Sequence, residues 1–341
     1  MSKKESLLNE KYQVGAKKLL DSLGINKKDP LTVLNTAETI EFTNQILIAA
    51  KEQGYTNVIN VVIPAPYRPV TEISPLLKNV IQNSKAVVYS VDRRNEENFT
   101  FNRPLQQLCQ DSKCKYVYIY DPSLDYLKDG MAADYEAVAQ KAQKIKGILE
   151  KSSLIEVKSK LGTDLEFKLY TDTIIPRSPI FNPGFYWNQA PEGEVMSCPL
   201  ETTFNGRMVI DGVITGMGTP PTLIIYDFKD GVITDVEGDK QFLDKLLSML
   251  RKSDDRVESF IGMWIAELSV GCNDWAVFDD NISNCEKVSG GIHFAMGNSE
   301  GLGADRGETY HFDHIMKAPS IWVTDNSGNR FQLIDDGKLL V

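Results

Sequence analysis

The chain has no run approaching the ~18 apolar residues that a membrane-spanning helix needs. Its first twenty residues, MSKKESLLNEKYQVGAKKLL, are polar and charged, with no apolar stretch of the signal-peptide kind. No membrane span is expected, and the cytoplasm is the expected compartment. Basic charge is in short supply: 37 Lys and Arg face 47 Asp and Glu, for a net charge of −10. Phosphate binding needs clustered positive charge, so nucleic acid is not an expected partner. Cysteines are few, and Cys109, Cys114, Cys198, Cys272 and Cys285 show no CxxC spacing. Neither a disulfide framework nor a cysteine zinc site follows, and free thiols are expected. GxGxxG and GxxxxGK[ST] are both absent, which leaves a dinucleotide or P-loop site without support.

What remains is an ordinary globular composition, 42% hydrophobic and 25% charged, on 341 residues, enough for roughly two domains. In the first 150 residues, strand-like runs at Leu31–Leu34, Asn57–Ile63, Ala86–Val91 and Lys115–Tyr120 alternate with helical patterns. These helical patterns fall near Glu38–Gln53, 72–82 and Gln106–Asp111, and the longest runs over Ala132–Lys151. Strand and helix alternating at these lengths predict a parallel sheet covered on both faces. After about residue 152 the texture becomes short alternating strands punctuated by turns, with one helix over Lys240–Arg251. The expected fold is an α/β N-terminal domain (1–152) with a mostly parallel sheet, followed by an α+β, antiparallel β-rich metal-binding domain (153–341).

Histidine is scarcer than cysteine, and its placement is informative. The three in the chain, His293, His311 and His314, all lie in the last 50 residues. Imidazole is both a good metal ligand and the side chain that titrates near neutral pH. Read as a strand, Tyr310-His311-Phe312-Asp313-His314 puts His311 and Asp313 on one face. Tyr310, Phe312 and His314 then face the other way, and His314 reads as a surface or supporting histidine. His293 sits in GGIHFAMG, an apolar run with glycines at both ends, where a polar side chain needs a partner. Glu267 lies inside the apolar stretch WIAELSV, and a buried carboxylate likewise needs a partner or a metal. Glu194 opens a strand after the loop NQAPEGE. Glu286-Lys287 reads as a solvated pair.

Taken together, these segments resemble the M29-type metallo-aminopeptidases and the related 2,5-dihydroxypyridine dioxygenases. The resemblance covers about 160–320. It is carried by GTDLEF (162–167), N-x-x-P-E-G-E-V (188–195), F-N-G (204–206), AELSVGCN (266–273), EKVSGGIHFAMG (286–297) and H-F-D (311–313). It implies that Glu194, Glu267, His293, His311 and Asp313 are metal ligands and that Asn188 is a candidate substrate-binding residue. Two histidines and three carboxylates suit two divalent ions side by side, which activate a water and clamp an oxyanion. That is a metal-dependent hydrolase of the aminopeptidase type, with Zn, Co or Mn. Glu300 stands where the aminopeptidases carry a Tyr close to the metals, and it is the candidate catalytic residue. The alternative takes His293, His311 and Asp313 as the 2-His-1-carboxylate set of a mononuclear Fe(II) dioxygenase acting on a dihydroxylated aromatic ring. Glu194 and Glu267 then serve the substrate or support the ligands. One or two divalent ions per chain, a small-molecule or short-peptide substrate, and a homo-oligomer, dimer or larger, are the expected cofactor and partners.

Overall fold

A computed structural model describes residues 3–94, 96–181, 183–299, 301–304 and 308–341. The chain divides into two compact units, Met1–Tyr135 with Pro179–Glu192, and Glu136–Ser178 with Gly193–Val341. The sequence-based boundary at 152 ignores two exchanges. The helix Tyr135–Leu149 falls almost wholly in the second unit, and a later segment returns a strand to the first.

The first unit is an α/β layer structure. Five strands, all parallel, run in the order Val58–Ile63, Leu31–Thr36, Ala86–Val91, Lys115–Tyr120, Trp187–Gln189. Leu31–Thr36 and Ala86–Val91 are buried along their whole length, as β-branched runs covered on both faces should be. One face packs Leu31, Val33 and Val88 against Phe42, Ile46 and Leu19; the other packs Leu34, Val87 and Tyr89 against Ile81 and Leu105. The longest helix is Lys3–Ser22 rather than the one predicted over Ala132–Lys151. Ala16, Leu19, Leu20 and Leu23 form its apolar stripe at helical spacing and continue it one residue past its end. Asn188 is buried on the last strand of this sheet, opposite Val117, and its Oδ1 accepts from the Gln189 N–H at 3.1 Å.

Among the described residues, the second unit holds two antiparallel sheets. The larger has eight strands. The smaller runs His311–Met316, Ile292–Gly297, Ile265–Gly271, Glu194–Ser197, Ile175–Arg177, each pair antiparallel. Its central strands are buried throughout. All five cysteines are buried free thiols. Among the described residues, no helix is long and apolar enough to cross a membrane.

Candidate metal centre

Four neighbouring strands of the smaller sheet each contribute to one cluster. Antiparallel register places directly opposed residues on the same face. Ser269 opposes His293, which opposes Ile315; Glu267 opposes Ala295, which opposes Asp313; and Gly297 opposes His311. Gly271 opposes Glu194 at the far side. Side chains two apart along a strand share a face, so Glu194, Glu267, His293, His311 and Asp313 all project from one face. The strand read over 310–314 runs His311–Met316, with Tyr310 just before it. His314 faces the opposite way, but it is buried rather than superficial. Its Nδ1 lies 2.9 Å from the Phe312 carbonyl and its Nε2 3.3 Å from the Tyr226 hydroxyl, and burial lowers it to about 4.

The five side chains meet. Nε2 of His293 stands 3.4 Å from Glu267 Oε1, 3.7 Å from Glu194 Oε2 and 3.9 Å from Asp313 Oδ1. Nε2 of His311 stands 3.3 Å from Glu267 Oε2 and 3.2 Å from Asp313 Oδ1. Glu267, His311 and Asp313 each offer a donor atom within 4.8 Å of the other two. The surrounding shell orients these donors. His311 Nδ1 is 2.7 Å from the Asn298 carbonyl, which fixes the proton there and turns the lone pair of Nε2 inward. The Thr215 hydroxyl donates to Asp313 Oδ2 at 3.0 Å and accepts from the Asp313 N–H, leaving Oδ1 facing the histidines. The Ser269 hydroxyl donates to Glu194 Oε2 at 3.2 Å.

The donor set fits a divalent cation. Glu267 is 2% exposed, yet among the described residues its Oε2 has no hydrogen-bond partner, and neither does the buried Nδ1 of His293. Carboxylates buried beside imidazoles demand positive charge. Burial pulls His293 down, but Glu267, Glu194 and Asp313 outweigh it and raise the imidazole to about 9. His311 also rises well above its ordinary range against the pull of burial, through Asp313 and Glu267. Burial pushes Glu267 up, yet the two imidazoles hold it down at about 2, and Asp313 is held far below the usual carboxylate range by His311 and His293. A metal ion answers the same demand. The side chain of His311 is 36% exposed, whereas those of the other four are 11% or less, so the cluster opens to solvent on the His311 side.

One prediction needs correcting and one residue was missed. Glu286-Lys287 is not a solvated pair. The Lys287 side chain is 1% exposed, and its ammonium donates to Glu194 Oε1 at 2.5 Å and to Glu286 Oε2 at 3.0 Å. Lys287 follows the short helix Ile282–Cys285, where no strand alternation applies, and only its place inside EKVSGGIH hinted at the site. Glu300 lies outside the described residues. Asn188 belongs to the first unit, not to the strands that carry the cluster.

A parallel α/β unit, together with an antiparallel unit presenting two imidazoles and three carboxylates on one sheet face, defines an enzyme whose side chains can hold a divalent metal. The family model described as 2,5-dihydroxypyridine 5,6-dioxygenase (NicX) matches residues 15–340, and the chain belongs to that family. Among solved structures, the 2,5-dihydroxypyridine dioxygenase from Pseudomonas putida KT2440 is similar with a TM-score of 0.69 and 16% identity, covering 98% of both chains. Wild-type AmpT from Thermus thermophilus is similar with a TM-score of 0.68 and 12% identity, covering 96% of this chain and 99% of its own. At these identities the likeness is one of fold. A search of curated proteins returns no match.

Proposed function

We propose that the protein is a mononuclear non-haem Fe(II) dioxygenase acting on a dihydroxylated N-heteroaromatic ring, and that His293, His311 and Asp313 hold the ion. The observation that carries this reading is that the Nε2 atoms of His293 and His311 stand 3.9 and 3.2 Å from Asp313 Oδ1 in a chain that belongs to a dioxygenase family. Two histidines and one carboxylate are the donor set that Fe(II) oxygenases use. Bound Fe(II) would supply the electron chemistry that lets O2 react with an electron-rich ring. The protein's part is positioning. Asn298 fixes the His311 tautomer, Thr215 turns Asp313, and the buried strands keep bulk water from four of the five side chains. Glu267, between the two imidazoles, contributes the anionic charge that offsets the ion.

The test is anaerobic reconstitution with Fe(II), followed by O2 uptake and loss of aromatic absorbance with 2,5-dihydroxypyridine. His311→Ala and Asp313→Ala should abolish both metal binding and turnover. Full metal content in purified His311→Ala overturns the site.

A second reading has an observation of its own. The two oxygens of Glu267 stand near different histidines, 3.4 Å from His293 and 3.3 Å from His311, as a carboxylate bridging two ions would. In that reading the protein is a metal-dependent hydrolase of the aminopeptidase type with two Zn, Co or Mn ions. Two ions per chain and hydrolysis of an aminoacyl p-nitroanilide, without O2 uptake, establish it in place of the first.

A further inference from the structure

We propose that the Lys287 ammonium takes the place of a second metal ion and fixes the centre at one ion per chain. This inference rests on the mononuclear reading above. A second ion on the His293 side of this sheet face would need Glu194, whose Oε2 lies 3.7 Å from His293 Nε2, beside Glu267 Oε1 at 3.4 Å. Glu194 is already engaged at both oxygens. Lys287 donates to Oε1 at 2.5 Å, and Ser269 donates to Oε2 at 3.2 Å. Lys287 is held there from two sides, since Glu286 Oε2 accepts from the same ammonium at 3.0 Å. With 1% of its side chain exposed, the lysine is buried in this position.

Charge bears on the ion count. Glu194, Glu267, Glu286 and Asp313 surround the centre, and with a metal in place of the imidazole protons Lys287 is a side-chain cation among them. With the ammonium in place, a second divalent ion leaves a buried centre net positive and meets a like charge across a single carboxylate. With the ammonium removed, two divalent ions balance the four carboxylates. Buried charges are tolerated when they are paired, so the protein without Lys287 should recruit a cation from solution.

The experiment counts Mn(II). The full-length wild-type protein and the Lys287→Met and Lys287→Gln variants are freed of metal, dialysed against excess Mn(II) and assayed by elemental analysis and electron paramagnetic resonance. The expected result is one Mn(II) per chain with an isolated-ion signal for the wild type. Both variants should bind two, with an exchange-coupled signal, and Mn(II) should raise their unfolding temperature more than that of the wild type. Glu194→Gln added to Lys287→Met should return the count to one. Lys287→Gln keeps a hydrogen-bond donor toward Glu194 and covers the case in which Lys287→Met fails to fold. A folded variant that still binds one ion overturns the role of Lys287 and leaves the mononuclear reading standing. A wild type that binds two overturns the mononuclear reading itself.

Discussion

Glu267 and Asp313 face one another across the methyl group of Ala295, in one row of three antiparallel strands. Ala295 is fully buried, and its small side chain keeps open the space that the two carboxylates and two imidazoles address. Ala295→Leu should fill that space. Overpacking of this kind typically costs about 1–3 kcal/mol, so the variant should fold with a lowered Tm. Metal content after dialysis should drop to background. Wild-type metal content in a folded Ala295→Leu protein would mean that the ion does not sit over this row.

Thr215 grips Asp313 twice, donating to its carboxylate and accepting from its backbone N–H, both at 3.0 Å. Thr215→Val keeps the shape and removes both contacts. Loss of an orienting partner of this sort costs a metal site roughly 10–100-fold in affinity. The leftover Asp313 N–H costs stability on the order of 1–3 kcal/mol. Competition with a chelator of known affinity measures the first effect and thermal unfolding the second. Unchanged metal affinity would show that Asp313 is held in place by the sheet alone.

Much of this architecture was legible because it rests on periodicity. The strands Ala86–Val91 and Lys115–Tyr120 end where their apolar runs end, and the His311/Asp313 pairing followed from alternation alone. What escaped was either masked by charge or set by tertiary contact. The stripe of Ala16, Leu19 and Leu20 in the first helix is interleaved with lysines, which disguised the longest helix as a polar terminus. Lys287 and Glu286 read as solvated because nothing local tells a lysine that Glu194, 93 residues earlier, will meet it in the interior. The exchange of segments between the two units is likewise invisible to local pattern, since strand Trp187–Gln189 is defined by its pairing with Lys115–Tyr120.

Metal uptake should be proton-linked. In the metal-free protein His293 is raised from 6.5 to about 9 and His311 is raised in the same direction. Both hold protons at neutral pH, and an incoming ion must displace them. Metal affinity should therefore rise with pH up to about 9, by as much as about tenfold per unit for each proton released. Metal-free stability runs in the opposite direction. A group whose folded pKa lies above its unfolded value stabilises fully below about 6.5 and loses that contribution as pH climbs through about 9. Calorimetric titration with Mn(II) at two pH values, in buffers of different ionisation heat, reads the proton release directly. Uptake without proton release would show that the histidines are neutral before the metal arrives.

Gly290, just before the His293 strand, and Gly328, in a hairpin turn, share the same left-handed φ of +85°. They differ in their surroundings. A Cβ on Gly290 would lie 2.0 Å from the Gly337 carbonyl oxygen, whereas a Cβ on Gly328 meets nothing within 4 Å. Gly328→Ala should therefore cost only the conformational term, about 1–2 kcal/mol. Gly290→Ala carries that term and must also push the Gly337 backbone away, which at a buried strand entry should bring the cost above about 3 kcal/mol. The displacement would reach the strand Ile292–Gly297 that carries His293, so Gly290→Ala should lose metal affinity as well, while Gly328→Ala keeps it. Chemical denaturation of the metal-free proteins, with metal content measured alongside, separates the two. Equal losses of stability would show that the Gly337 loop yields freely and that the glycine before His293 serves its dihedral angle alone.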